Sequence, residues 1–259
     1  MGARFGQHFL CDANIINHII TQFNPTGPII EIGPGRGALT NHLLRKKLPL
    51  WVIEIDREYQ SYWQQQIPQH PQLTVISSDV LELDWSQFNS WHHDSFQIIS
   101  NLPYEISGPF LVRLAQQKFN WSNALIMLQQ EMVQKVIAVP GKHAYGRLSV
   151  QLQRHCHLQP GRVIAATAFK PAPKVVSQLL SLQPRLEKIT VPNEAVWDEM
   201  LRLAFCHRRQ MLRRIFKEYS IPWTDIMISE TSRPENLTVS DWGLLSYALH
   251  DAGFKVAIL

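Results

Sequence analysis

The chain has 259 residues, 45% hydrophobic and 18% charged, with a formal net charge of +4. This describes a globular protein long enough to bury a sizeable core, and it excludes disordered and collagen-like chains. No apolar run reaches the roughly eighteen residues of a membrane helix. Cys11, Cys156 and Cys206 are too scattered for a disulfide framework or a CxxC metal site, so a reducing cytoplasm is expected.

Residues 12–23 carry isoleucine and phenylalanine at helical spacing behind Asp12, a suitable helix cap. Pro25 and Gly27 then break the chain, and Ile29-Ile30-Glu31-Ile32 reads as a buried strand. The loop Gly33-Pro34-Gly35-Arg36-Gly37 leads into a helix expected over 37–47. Further strands are predicted at 51–55, 73–76, 96–100 and 124–128, with a polar helix fading at Pro68 and another starting near Pro109. Helices alternating with continuous apolar strands predict a parallel sheet covered on both faces.

After residue 145 the pattern changes. A helix near 147–157 precedes two strands, at about 162–168 and 175–183, joined by Lys170-Pro171-Ala172-Pro173. So short a link cannot make a parallel crossover, and the pair is expected to be antiparallel. Beyond Pro184 the patterns are mostly helical, with Pro192 in a linker. The expected domains are 1–185 and 186–259.

The glycine spacing Gly33-x-Gly35-x-Gly37 is one residue short of the dinucleotide fingerprint GxGxxG. Glu54 ends the second strand, where an acid grips ribose hydroxyls in such folds. Asp79 follows the third strand and can accept from an adenine amino group, and Asn101 ends the fourth. Ligands of open α/β sheets bind at these carboxyl ends, so the three residues outline a nucleoside-cofactor site. The shorter glycine spacing and Glu31 before the loop favour S-adenosylmethionine over a nicotinamide cofactor.

Asn101-Leu102-Pro103-Tyr104 closes the fourth strand with an amide, a proline carbonyl and an aromatic ring. The Asn101 oxygen and the Pro103 carbonyl suit the two N–H bonds of an amino group conjugated to a flat ring, and Tyr104 suits stacking on that ring. Holding the amine this way favours a more pyramidal nitrogen aimed at the donor methyl. N-methylation of a base is therefore predicted, and no histidine need be catalytic.

Six segments in order carry a resemblance: Arg4–Leu10, Glu31–Gly37, Asn101–Tyr104 with Ile106-Ser107, Tyr145–Val150, Phe169–Val175, and Phe205 with Arg208-Arg209. Over nearly its whole length the chain resembles the ribosomal RNA adenine N6,N6-dimethyltransferase family. The resemblance implies an α/β fold, a Rossmann-like class I S-adenosylmethionine-dependent methyltransferase sheet with a small helical carboxyl-terminal domain. It also implies donor contacts from His8, Leu10, Gly33, Gly35, Glu54, Asp79 and Asn101, with Phe169 as a second stacking face beside Tyr104. The implied substrate is a pair of adjacent adenosines in a terminal hairpin loop of small-subunit ribosomal RNA, naked or in a pre-30S particle. Glu105 and Val176 replace the Asn and Asp common at those positions in the family.

An enzyme acting on an exocyclic amine takes the base out of its stack, and the macromolecular side calls for basic residues. A helical segment over 200–217 carries Arg202, Arg208, Arg209, Arg213, Arg214 and Lys217 with no acid inside it. These residues are expected to touch phosphates, with Arg147 and Lys174 extending the track. His92-His93 lacks partners at metal spacing, so no metal is expected. The rivals are a large-subunit methyltransferase of the macrolide-resistance type, a DNA adenine or protein glutamine methyltransferase, a non-catalytic RNA-binding assembly factor and a nicotinamide oxidoreductase. A monomer is expected.

Overall fold

The computed structural model describes residues 8–116, 119–187 and 189–256. The chain opens with β1 (Phe9–Leu10) and α1 (Ala13–Phe23). Asp12 caps α1 by accepting the Asn14 and Ile15 amides at 2.8 and 3.1 Å. Next come β2 (Ile29–Ile32), α2 (Thr40–Leu43), β3 (Leu50–Glu54), α3 (Arg57–Gln66), β4 (Leu73–Ser77), α4 (Phe88–Trp91), β5 (Phe96–Asn101), α5 (Ser107–Gln116), β6 (Trp121–Gln129) and α6 (Gln130–Val136). The remainder comprises α7 (Arg147–His155), β7 (Cys156–Ile164), β8 (Phe169–Lys170), β9 (Ser177–Pro184), α8 (Glu194–Cys206), α9 (Leu212–Ile215) and α10 (Val239–Asp251).

Among the described residues, seven strands form one sheet in the order β4-β3-β2-β5-β6-β9-β7. The first five run parallel, and β9 lies antiparallel between β6 and β7. The central parallel strands are largely apolar and enclosed on both faces: every residue of β2 and β3 is buried, whereas the edge strand β4 is buried only in part. Strand order reverses between β2 and β5, so their carboxyl ends, at Ile32 and Asn101, flank the topological switch point.

By contacts the chain divides into two compact units, Met1–Val133 with Cys156–Pro184, and Gln134–His155 with Arg185–Leu259. Residues 134–155, assigned by sequence to the first domain, thus group with the carboxyl-terminal helices. Tyr145 and Val150 pack in the same cluster as Trp197, Met200 and Trp242, and the Tyr145 hydroxyl donates to the Leu237 carbonyl at 2.7 Å.

Three other expectations are corrected. The helix expected over 37–47 is only one α turn, α2, followed by a 3-10 turn at Leu44–Lys46, because the glycine loop extends further than its spacing suggests. The strand expected over 162–168 begins at Cys156, so Cys156 and His157 belong to β7 rather than to the preceding helix. Pro160 and Gly161 lie beside the bulge between Pro160 and Val163 on an edge strand, where a missing N–H is tolerated. The helix over 200–217 stops at Cys206, since the next core positions would fall on His207 and Arg208, neither of them buried.

Gly37 shows how tightly the loop is built. Its φ is +84°, and an added Cβ would lie 2.7 Å from the Trp63 ring. Gly141 has φ +82°, and an added Cβ there would meet no atom of the described residues within 4 Å. Gly141→Ala is expected to cost about 1–2 kcal/mol of backbone strain, whereas Gly37→Ala adds about 1–3 kcal/mol of overpacking. Denaturant melts of both variants check this: a similar loss in both would contradict it.

Candidate active site

The glycine loop, the ends of β3, β4 and β5, and the amino-terminal strand line a cleft of about 340 Å³. This is within the range of small-ligand sites, roughly 300–1,000 Å³. His8, Leu10, Gly33, Gly35, Glu54, Asp79, Asn101, Leu102, Pro103 and Tyr104 all line it, so the expected donor residues and the Asn-Leu-Pro-Tyr motif share one pocket.

Backbone amides fix the Glu54 carboxylate. Its Oε1 accepts from Ile55 at 3.0 Å and Asp56 at 2.9 Å, and its Oε2 from Gly35 at 3.1 Å. Burial nevertheless pushes its pKa up, offset in part by those amides. Gly35 has φ +48°, and its carbonyl accepts the Trp63 indole N–H at 3.0 Å. Trp63 is therefore the buttress beneath the loop.

Glu31 sits deeper. It is 2% exposed and its Oε2 has no hydrogen-bond partner. Burial raises its pKa to about 8, with the Glu54 charge pushing the same way. Thr40 opposes that shift only in part, and its own hydroxyl is buried without a partner of hydrogen-bonding geometry.

Asn101 is held by the chain's own arm. Its Nδ2 donates to the His8 carbonyl at 3.1 Å, which fixes the orientation of the amide. The arm is anchored in turn: β1 pairs with β8, and the His8 Nδ1 donates to the Pro171 carbonyl at 2.8 Å. Arg36 lies 4.3 Å from the Phe9 ring centroid, closing the arm over the glycine loop. The Pro103 carbonyl, expected to accept from substrate, already accepts the Ser107 hydroxyl at 3.2 Å and the Ile106 amide at 3.3 Å. Neither bond is short. The Asp79 Oδ1 accepts the Leu81 amide at 2.8 Å.

The family model described as ribosomal RNA adenine dimethylase matches residues 2–244. A ribosomal RNA small subunit methyltransferase A of Bordetella pertussis is 34% identical over 255 residues, covering 96% of this chain and 94% of that protein. Its counterpart in Haemophilus ducreyi is 36% identical over 257 residues, covering 96% and 89%. A dimethyladenosine transferase from Plasmodium falciparum superposes with a TM-score of 0.78 at 24% identity, over 95% of this chain and 98% of that one, which shows the shared fold. The chain belongs to the ribosomal RNA adenine dimethylase family.

It is thus a class I methyltransferase that acts on ribosomal RNA and takes its methyl group from S-adenosylmethionine. The cleft fits that donor. S-adenosylmethionine carries a sulfonium and an ammonium, and the pocket offers two buried carboxyl groups, one of them with an oxygen that has no hydrogen-bond partner. A pyrophosphate cofactor would meet repulsion there.

Not every expected residue of this adenine dimethylase gathers at the cleft. Phe169 is 2% exposed and packs in the core with Leu10, Ile15 and Ile164 rather than lining the pocket. Its place on β8 opposite Leu10 turns the ring inward. In the carboxyl-terminal unit the fold brings acids to the basic segment from outside it. Arg202 makes two 2.6 Å bonds to Glu199, Arg208 bonds Glu235 at 2.7 Å, and Arg213 bonds Glu230 at 3.0 Å. Arg209 and Arg214 are exposed, as is Lys174 in the first unit, while Arg147 is half-buried with a buried Nε lacking a partner.

Arg154 went unnoticed in the sequence. It is 4% exposed, holds Glu194 through bonds of 2.6 and 2.7 Å, and lies 4.8 Å from the Trp197 ring centroid. It tightens the core of the second unit.

Proposed function

We propose that this enzyme dimethylates the exocyclic N6 of two adjacent adenosines in a terminal hairpin loop of small-subunit ribosomal RNA. It acts as a monomer, in the cytoplasm, on that RNA either naked or in a pre-30S particle. The observation that carries this is the Asn101 amide, whose nitrogen is committed to the His8 carbonyl, leaving Oδ1 to accept from a substrate N–H at the cleft. An amine donates to that oxygen and to a backbone carbonyl of the Leu102–Pro103 turn, while the adenine stacks on Tyr104. Stacking contributes about 1–3 kcal/mol, comparable to the cost of unstacking the base.

Bound in the cleft, S-adenosylmethionine supplies a methyl group already activated by its sulfonium. Glu54 and Asp79 would hold the ribose hydroxyls and the adenine amine of the donor, His8, Leu10, Gly33 and Gly35 would wall its site, and Glu31 would offset its positive charge. Asn101 and Tyr104 align the amine lone pair with the methyl, which is positioning with preorganised dipoles rather than base catalysis. The proton leaves afterwards, to water. Phe169 joins the stack only if the β1–β8 pair moves. Arg209, with Arg147 and Lys174, contacts phosphates, and Arg202, Arg208 and Arg213 serve there by exchanging their carboxylate partners. The scattered cysteines favour a reducing compartment, and the exposed apolar side chains come from many separate elements, as expected for a monomer.

Small-subunit assignment is supported by the names of the relatives from Bordetella and Haemophilus. Methylation of purified small- and large-subunit RNA, followed by mass spectrometry of the nucleosides, tests it. Dimethyladenosine at two adjacent positions of the small-subunit RNA alone is expected. Modification of the large-subunit RNA instead would favour the macrolide-resistance type, and no modification of either would favour an assembly factor.

A further inference from the structure

The phenol of Tyr104 is tied to a residue that neither the glycine loop nor the Asn-Leu-Pro-Tyr motif would suggest. Its oxygen lies 2.8 Å from the Ser177 Oγ. Ser177 is fully buried and opens β9, where it pairs with Gln129 of β6 on one side and Ile164 of β7 on the other. Strands on both flanks fix its backbone, so its hydroxyl is a stationary point. Tyr104, in contrast, stands in a 3-10 turn, half-buried, with the His8 ring centroid 5.8 Å away and tilted by 32°. Without an anchor at the phenol, little in that turn sets the plane of the ring.

We propose that Ser177 is a positioning residue: its hydroxyl clamps the Tyr104 phenol and so sets the face against which the target base lies. This rests on the assignment of Tyr104 as the stacking face. The clamp matters most for the second methyl. The first transfer uses an amine with two N–H groups, but the second must align a bulkier N-methylamine with one, so the base depends more on the ring beneath it. A misplacement of about 1 Å can cost on the order of 100-fold in rate, and one intramolecular hydrogen bond contributes about 0.5–1.5 kcal/mol net, or roughly 2–10-fold.

A double-mutant cycle tests this. Ser177→Ala, Tyr104→Phe and the double variant are compared in single-turnover methylation of small-subunit RNA at saturating donor, scoring monomethyl and dimethyl adenosine separately. Tyr104→Phe removes the same hydrogen bond without touching the sheet, so it stands even if Ser177→Ala folds poorly. Each single variant should slow the second transfer by about 3–10-fold, more than the first, and accumulate monomethyladenosine; the double variant should be no worse than either single. Donor affinity should not move, and Tm should fall by no more than the loss of one hydrogen bond. Additive losses, or equal slowing of both transfers with a larger fall in Tm, would overturn the clamp. Tyr104→Ala separates the two levels. If that variant methylates normally, the stacking assignment fails; if it is inactive while Ser177→Ala and Tyr104→Phe are both silent, only the clamp fails.

Discussion

Replacing Asn101 with alanine is expected to lower single-turnover methyl transfer by about 10³-fold while leaving RNA affinity within a few-fold. The alanine removes the oxygen that orients the amine, and with it the bond from Nδ2 to the His8 carbonyl that holds the arm. Losing one preorganised polar contact to a reacting group costs about 10²–10³-fold, and the loosened arm adds to that. Asn101→Asp separates the two effects. It keeps an acceptor oxygen, but its second oxygen faces the His8 carbonyl and adds a charge beside Glu31 and Glu54. A comparable loss is expected from Asp, because the amide is needed as donor and acceptor together. Activity near the native level in either variant would remove Asn101 from the chemistry.

Glu31→Gln is expected to stabilise the ligand-free protein at pH 8 and to weaken donor binding. Burial raises the pKa of Glu31 from 4.5 to about 8. Between those values the folded chain keeps a proton that the unfolded chain has released, so this group makes stability fall as pH rises through the window. Glutamine cannot ionise, and its variant should lack that fall; the difference at pH 8 is on the order of a few kcal/mol. The donor reverses the balance, since its cationic groups favour the ionised carboxylate. Donor affinity should therefore rise toward pH 8, by at most about tenfold per unit, with proton release, and then level off. Calorimetry in buffers of differing ionisation enthalpy measures the released proton. A native protein whose donor affinity and Tm vary with pH as those of Glu31→Gln do would refute the assignment.

This trade between empty-state stability and donor binding has a physical origin in the fold. Glu31 lies on β2, the strand beside the switch point, where every backbone group is paired to β3 or β5 and every side chain is enclosed. A carboxyl group there is unfavourable until something cationic arrives. The glycine loop that follows makes room for that ligand and is itself braced by Trp63.

The sheet and its site were legible because both depend on local pattern. Continuous apolar runs mark the parallel strands, and Glu54, Asp79 and Asn101 fall at or just past successive strand ends, so their convergence on one cleft follows from strand direction alone. What the sequence hid depends on tertiary pairing. The absence of acids within 200–217 suggested a bare basic face, yet Glu230 and Glu235 arrive from later in the chain and Glu199 from just before it. Phe169 reads equally well as a stacking face or as core, and only the pairing of β8 with β1 turns it inward. Ser177 and Tyr104 are 73 positions apart, a separation no local pattern spans. The start of β7 at Cys156 is hidden for a different reason: Pro160 and Gly161 interrupt its alternation, and the bulge that accommodates them exists only in the pairing with β9.

The central claim is that an extruded adenine and the methyl donor share the cleft, with Asn101 between them. A crystal structure with S-adenosylhomocysteine and the small-subunit hairpin tests it directly. The account predicts the target N6 at hydrogen-bond distance, about 3 Å, from the Asn101 Oδ1, with the adenine against Tyr104. An adenine bound away from Asn101, or a donor product seated outside the glycine loop, would contradict it.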